Sequence, residues 1–104
     1  MTDKIQPEPE TACHRVVFHG RVQGVGFRMT ATHIARNFPV SGYVKNMPNR
    51  TVELVVRCDQ ATMDKFLKAI EAQFEGYIDN REIREATPNE CFEIESKRGF
   101  EIRY

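Results

Sequence analysis

The chain has 104 residues, which is enough for one domain with one hydrophobic core and too short for a second. Its 15 basic side chains balance 15 acidic ones, and this neutral total argues against broad electrostatic binding to nucleic acid or to a membrane surface. Its apolar runs all fall short of the roughly 20 residues that span a bilayer. A local positive pocket stays compatible with this composition.

The N-terminal residues 1–12 combine two prolines with several charges and little apolar surface, a pattern typical of a disordered tail. A single domain over residues 13–104 is expected to follow. The N-terminus lacks the charged-then-apolar pattern of a secretory signal, so we expect a cytoplasmic protein.

The three cysteines, Cys13, Cys58 and Cys91, are odd in number and widely spaced, with no Cys-x-x-Cys pair. This pattern favours free thiols in a reducing compartment over a disulfide framework or a zinc site. A reactive thiol is the less favoured alternative.

Two segments with helical spacing of apolar residues alternate with short segments of strand-like composition. The first half of the chain predicts a strand at 15–19, a helix that begins at Phe27 and ends before Pro39, and a hairpin of strands at 41–46 and 51–57. The second half predicts a helix capped by Asp59 and ended by Gly76, a fourth strand within 78–86 and a closing strand at 100–104.

Two details of the C-terminal third depend on weaker patterns. In the fourth strand, Ile83 is expected to face inward. Between the last two strands, Pro88 and Asn89 indicate a turn, and residues 91–94 are expected to be extended.

This order of elements predicts an α+β fold, a ferredoxin-like βαββαβ sandwich. Right-handed crossovers place both helices on one face of an antiparallel sheet and leave the other face partly solvated.

The nine residues 20–28, with the sequence GRVQGVGFR, carry the strongest functional signal. Three glycines lie where the first strand gives way to the first helix, and they allow a tight bend that exposes backbone N–H groups. The start of the helix adds unpaired N–H donors and a partial positive charge, and Arg28 supplies a bidentate cationic fork. Together these features predict a phosphate-binding loop.

Arg28 and Asn46 each have a purely structural interpretation as well as a functional one. Arg28 is either an anion ligand or a solvated arginine on an exposed helix face, since a glycine-rich loop alone is a weak signal. Asn46, at the end of the second strand, is by itself more typical of a turn residue. In the predicted fold, however, the end of that strand comes near the loop.

Residues 20–28, together with Gly42-Tyr43-Val44-Lys45-Asn46, resemble the signature of the acylphosphatase family, and residues 100–104 resemble its C-terminus. The resemblance covers residues 16–104 and implies hydrolysis of acyl phosphates to a carboxylate and inorganic phosphate, with no metal and no organic cofactor. We expect a monomer whose partners are a small-molecule acyl phosphate and inorganic phosphate, without nucleic acid or membrane.

Carried over residue by residue, the resemblance implies that Arg28 binds the phosphate and that Asn46 orients the attacking water. It further implies that backbone N–H groups cradle the phosphate at Arg21, Val22, Gln23, Gly24, Val25, Gly26 and Phe27. The family usually has glycine where this chain has Arg50 and Cys58, and Asn49 is expected to adopt the left-handed conformation that the turn requires.

Two other functions stay open on sequence grounds. One is a non-catalytic regulatory module of the same fold that binds phosphate or another anion. The other is an RNA-binding ferredoxin-like domain, which the neutral charge and the lack of aromatic residues in the third strand disfavour.

Overall fold

The computed structural model describes residues 11–95 and 99–104. Its elements in chain order are β1 (Ala12–Gly20), α1 (Phe27–Ala35), β2 (Ser41–Asn46), β3 (Val52–Cys58), α2 (Gln60–Gln73), β4 (Ile78–Glu85), α3 (Pro88–Glu95) and β5 (Phe100–Arg103). The predicted tail falls mostly on residues outside this description, although Ala12, which we assigned to the tail, already pairs with Cys58.

The strands form one sheet in the order β4-β1-β3-β2-β5. The pairs among β4, β1, β3 and β2 are antiparallel, as the ferredoxin-like arrangement predicts. The added strand β5 departs from this prediction, because it pairs parallel to β2. This pairing sets Lys45 opposite Arg103 and brings the end of the chain beside the end of β2.

The two predicted amphipathic helices pack together on one face of the sheet. Alternate residues of β3, Val52, Leu54 and Val56, share a single buried cluster with the apolar stripes of both helices. Asp59 caps α2 as predicted, since its Oδ1 accepts a hydrogen bond from the N–H of Thr62 at 2.7 Å. The α+β fold class is therefore confirmed.

The opposite face of the sheet is covered in part by α3, which the sequence analysis missed. Residues 91–94 are helical, not extended, so that prediction is wrong. Ile94 packs with Tyr43 and Val55, which project from β2 and β3 away from the main core.

The prediction of free cysteines is also wrong for two of the three. Cys13 on β1 and Cys91 on α3 form a disulfide across 78 residues of sequence, whereas Cys58 is free and buried. Packing of α3 on β3 and β2 brings Cys91 next to Cys13 on the neighbouring strand β1, and no local spacing reveals such a pairing.

Strand β4 lies at one edge of the sheet, and most of its residues are exposed. Ile83 is 43 % exposed, so the expectation that it faces inward is wrong. An edge strand has a neighbour on one side only, and its outer positions are free to remain solvated.

Candidate active site

The loop between β1 and α1 is held at both ends by buried side chains. Val22 is fully buried, and Phe27 stacks on Phe74 with ring centroids 4.5 Å apart. Between these anchors, Gly24 and Gly26 both have φ of 78°, a left-handed conformation that most side chains disfavour. The apolar core therefore fixes the position of a loop whose middle is shaped by glycine.

Helix α1 begins directly after this loop with its N-terminal groups open. Gly26 is the N-cap residue and contributes no side-chain cap, and the first turn contains no acidic residue. The first N–H groups of an α-helix have no partner within the helix, and they carry a partial positive charge. This helix start is thus suited to an external anion.

A cavity of about 200 Å³ opens beside the loop. It brings together six of the predicted site residues with three others, namely Val22, Gly24, Gly26, Phe27, Arg28, Asn46, Met29, Ile102 and Tyr104. The predicted phosphate ligand Arg28 and the predicted water ligand Asn46 therefore line one cavity, although they come from α1 and β2.

Two contacts with the end of the chain position the Arg28 guanidinium. Its Nη1 donates to the carbonyl oxygen of Arg103 at 3.4 Å, and its Cζ lies 4.8 Å from the ring centroid of Tyr104. Within the described part of the chain, Arg28 forms no ion pair with a carboxylate. Its charge is therefore held in place by a carbonyl and a ring and remains available to a ligand.

Asn46 is the last residue of β2 and pairs with Val52 across the hairpin. The Gln23 side chain fixes this hairpin to the loop, because its Nε2 donates to the carbonyl oxygens of Met47 at 2.9 Å and of Thr51 at 2.8 Å. Gln23 thus sets the distance between the loop and the strand that carries Asn46.

The turn of the hairpin differs from the prediction. Arg50 itself adopts the left-handed conformation, with φ of 72°, so the expectation that Asn49 would do so is wrong. Asn49 instead uses its Oδ1 to accept from the N–H and the hydroxyl of Thr51. A non-glycine residue in this conformation costs about 1–2 kcal/mol.

The remaining predicted site residues face a different space. Arg21, Gln23 and Val25 line a second cavity on the loop together with Val22. The backbone N–H of Arg21 donates to the carbonyl oxygen of Tyr77 at 2.8 Å, so this donor is already used, and its assignment to the phosphate cradle is corrected.

The sequence analysis missed the apolar wall of the first cavity. Met29 is 68 % exposed and Tyr104 88 % exposed, and both line the cavity with Ile102. The one local signal for this wall is Met29, an exposed apolar residue in the first turn of α1. The contributions of β5 depend on its parallel pairing with β2, which the sequence pattern did not show.

Within residues 11–95 and 99–104, no group of three or more His, Cys, Asp or Glu side chains is arranged to hold a metal ion. In the same part of the chain, the helices are too short or too polar to cross a membrane.

Comparison with known proteins agrees with the observed fold. The sequence model of the acylphosphatase family matches residues 14–102. An acylphosphatase of Archaeoglobus fulgidus is 36% identical over 86 residues, which cover 82% of this chain and 90% of that protein. An acylphosphatase of Listeria welshimeri is 44% identical over 61 residues, covering 59% of this chain and 63% of that protein.

Among solved structures, that of an acylphosphatase from Bacillus subtilis superposes with a TM-score of 0.74 at 26% identity and covers 91% of this chain and all of its own. The family model spans nearly the whole described chain, and the loop and hairpin that it includes form the cavity described above. The chain therefore belongs to the acylphosphatase family of enzymes.

Proposed function

We propose that the chain hydrolyses the carboxyl–phosphate anhydride of small acyl phosphates, with the loop, Arg28 and Asn46 as its catalytic site. One observation carries this proposal: Arg28, Asn46 and the two left-handed glycines, Gly24 and Gly26, line a single cavity of about 200 Å³. A water molecule takes roughly 30 Å³ in the liquid, so the cavity has room for a phosphoryl group and a water beside it.

The phosphoryl group binds at the start of α1. Its oxygens accept hydrogen bonds from backbone N–H groups of the loop and of the first helical turn, and the Arg28 fork binds two of them. In the transition state, negative charge is redistributed over these oxygens, and donors that are already in place stabilise it without reorganisation.

The attacking water binds the Asn46 side chain. A carboxamide does not act as a base near neutral pH, but it donates through its amide and accepts through its oxygen, so it holds a water in one orientation. Because the bound water is already aligned with the bond that breaks, less entropy is lost in reaching the transition state, and this accounts for part of the rate enhancement. Gln23 contributes indirectly, since it fixes the hairpin against the loop.

The chemical step does not need a strong base, because the leaving group is a carboxylate. The water oxygen forms a bond to phosphorus, and the bond from phosphorus to the bridging oxygen breaks with its electron pair on the carboxylate. One of the water's two protons passes to a phosphoryl oxygen, the other stays on the attacking oxygen, and dihydrogen phosphate leaves. The enzyme supplies position and electrostatic stabilisation for this exchange.

The test is hydrolysis of benzoyl phosphate in the presence of a chelator, measured for the wild type and two variants. We expect Arg28→Ala to lower kcat/KM by about 10³-fold and to weaken inhibition by inorganic phosphate, because it removes a charged ligand. We expect Asn46→Ala to lower kcat by about 10²-fold with a smaller effect on phosphate inhibition, because it removes only the water ligand.

Arg36→Ala is the matched control, since Arg36 is an exposed arginine at the other end of α1. If Asn46→Ala turns over substrate as fast as the wild type, the assigned role of Asn46 is wrong. If the wild type binds phosphate but hydrolyses no acyl phosphate, the chain is the non-catalytic anion-binding module considered above.

The monomeric state and the cytoplasmic location belong to this proposal as well. The Cys13–Cys91 disulfide is unusual for the cytoplasm, where thiols are kept reduced. Light scattering after size-exclusion chromatography checks the monomer. Maleimide labelling of cells lysed directly into denaturant, which exposes the buried Cys58, checks the compartment: labelling of all three cysteines would support a reducing location.

A further inference from the structure

A second cavity of about 390 Å³ lies on the loop and has no role in the mechanism above. Its lining comprises Gly20, Arg21, Val22, Gln23, Val25 and Arg50. Val22 lines both cavities, so the second cavity adjoins the site of the phosphoryl group. The two cavities therefore lie against the same part of the loop.

Arg21 is held at this cavity by an aromatic ring. Its Cζ lies 5.2 Å from the ring centroid of Tyr77, and its backbone N–H donates to the carbonyl oxygen of the same residue. The hydrogen bond fixes the backbone of Arg21, and the ring contact orients its exposed side chain without neutralising the charge. Across the residues that the structure describes, Arg21 has no ion pair.

Arg50 reaches the same cavity from the hairpin turn in a strained backbone conformation. It is the one non-glycine residue with positive φ in the described parts of the chain. Strained residues concentrate at functional sites, where a side chain is needed in spite of its conformational penalty. The charged side chain of Arg50 lines the cavity and has no carboxylate partner within those parts.

Several arginines elsewhere in the chain are neutralised by carboxylates. Arg15 pairs with Glu53, Arg81 with Glu71 and Arg84 with Glu90. Against this background, two arginines without ion pairs at one cavity form a site of uncompensated positive charge. The geometry of their forks suits a carboxylate or a phosphate group.

We propose that Arg21 and Arg50 form a subsite for a second anionic group, a carboxylate or phosphate carried by the acyl part of the substrate. The inference rests on the proposed function and adds to it a preference for acyl phosphates that carry a second anionic group. The first cavity binds the phosphoryl group that leaves, and the second binds the anion that stays with the carboxylate product.

The test compares substrates that differ in a single charge. Benzoyl phosphates with a carboxylate at the meta or para position are measured against their methyl esters, and kcat/KM is determined for each. We expect the wild type to favour at least one carboxylated isomer by about fivefold, the size of an exposed ion pair. We expect this preference to shrink as the salt concentration rises.

Single variants test whether the preference for the carboxylated substrate depends on Arg21 and Arg50. We expect Arg21→Gln and Arg50→Gln each to lower the ratio of carboxylated to esterified substrate, whereas Arg36→Gln, which removes an exposed arginine elsewhere, keeps it. Arg50→Gly replaces Arg50→Gln if the latter does not fold, since glycine suits the positive φ at this position. An equal rate for acid and ester in the wild type, or an unchanged ratio in the double variant, overturns the proposal.

A binding measurement separates failure of this inference from failure of the proposed function. Phosphonates in which a methylene replaces the bridging oxygen are titrated by calorimetry, again as acid and methyl ester. If no acyl phosphate is hydrolysed, the proposed function fails, and an acid preference that depends on Arg21 and Arg50 still supports the subsite. Benzoate alone binding as tightly as the carboxylated phosphonate would contradict the assignment to the substrate.

Discussion

Arginine is used in opposite ways at the loop and on the far face of the sheet under α3. On the far face, Arg15 donates to the buried carboxylate of Glu53 at 2.6 Å, and Tyr43 donates to the same carboxylate at 3.2 Å. At the loop, Arg21, Arg28 and Arg50 have no ion pair within the residues described. Compensated charge stabilises the fold on the far face, whereas the uncompensated charges around the loop are available to an anionic ligand.

Strand β5 connects the two regions. The backbone carbonyl of Arg103 accepts from Arg28 at the first cavity. The side chain of Arg103 turns to the far face, where its Cζ lies 4.2 Å from the Tyr43 ring centroid and its Nη1 is 2.9 Å from Glu93. Burial raises the pKa of the Tyr43 phenol, and the nearby Glu53 carboxylate adds to this effect. This phenol therefore stays neutral and acts as a donor within the network.

The largest effect expected outside the cavity follows from breaking the far-face network. We expect Arg15→Met to lower the free energy of unfolding by about 3 kcal/mol, because it leaves the Glu53 charge buried without its cation. Urea denaturation measures the change. Turnover of benzoyl phosphate by the folded variant should match that of the wild type, and a matching loss of kcat would contradict the separation of the two regions.

A double variant, Arg15→Met with Glu53→Gln, provides the control. Since it removes both charges, we expect it to recover part of the lost stability.

The next effect tests the coupling of the loop to the hairpin. We expect Gln23→Leu to lower kcat by about tenfold, since a small displacement of Asn46 relative to the phosphoryl group misaligns the water. The inhibition constant of inorganic phosphate should change much less, because the helix start and Arg28 are untouched. Steady-state kinetics with phosphate as inhibitor gives both quantities.

The variant Gln23→Glu tests whether Gln23 acts through its two hydrogen bonds to the hairpin or only through the volume of its side chain. The carboxylate has nearly the same shape but cannot donate to the two carbonyl oxygens, so we expect it to lose activity as Gln23→Leu does. Gln73→Leu, on an exposed position of α2, is the control. Equal loss of kcat and phosphate affinity would indicate a general disturbance of the fold.

A smaller effect concerns acid stability on the far face. Hydrogen bonds from Arg84 lower the pKa of Glu90 from 4.5 to about 2, partial burial opposes this shift, and hydrogen bonds from Thr87 support it. Since the pKa is lower in the folded state, the ionised pair stabilises the fold above pH 4.5, and this contribution is lost as the pH falls from there towards 2.

We therefore expect the Tm of the wild type to exceed that of Glu90→Gln by a few degrees at pH 6 and the two to converge near pH 2. Thermal denaturation across this range measures the gap. A gap that stays constant with pH would show that the charge of Glu90 contributes nothing.

The smallest expected effect is a gain. Arg50→Gly removes a side chain from a left-handed position, and we expect it to raise the free energy of unfolding by about 0.5–1 kcal/mol. Asn49→Gly should have the opposite sign, because it removes the acceptor for Thr51. Denaturant titrations of both variants test this, and destabilisation by Arg50→Gly would mean that the turn is not strained.

The sequence predicted the elements whose apolar pattern is regular. Strand β2 was placed at its observed bounds, and the stripe of α2 was identified because five apolar residues recur at helical spacing. Helix α3 has eight residues and a weak pattern, and it is held by the disulfide and by Ile94 packing on Tyr43, neither of which a local pattern shows.

In the site, too, the features carried by local sequence patterns were predicted and those that depend on distant segments were not. The glycines, Arg28 and Asn46 were identified because the glycine loop and its family resemblance are contained in two short segments. The wall formed by Ile102 and Tyr104 depends on β5 pairing with β2, and the hydrogen bonds of Gln23 depend on the hairpin lying over the loop. These are contacts between distant segments, which a single sequence does not specify locally.

The most direct measurement of the central claim is an NMR titration of the isotope-labelled chain with inorganic phosphate. We predict that the backbone amides of Gly24, Gly26 and Met29, the Arg28 side-chain Nε–H and the Asn46 side-chain amide shift together with one dissociation constant, while the Arg15 Nε–H on the far face stays in place. Shifts that leave both Arg28 and Asn46 unaffected would contradict the account, since the cavity they share would then not be where the phosphate binds.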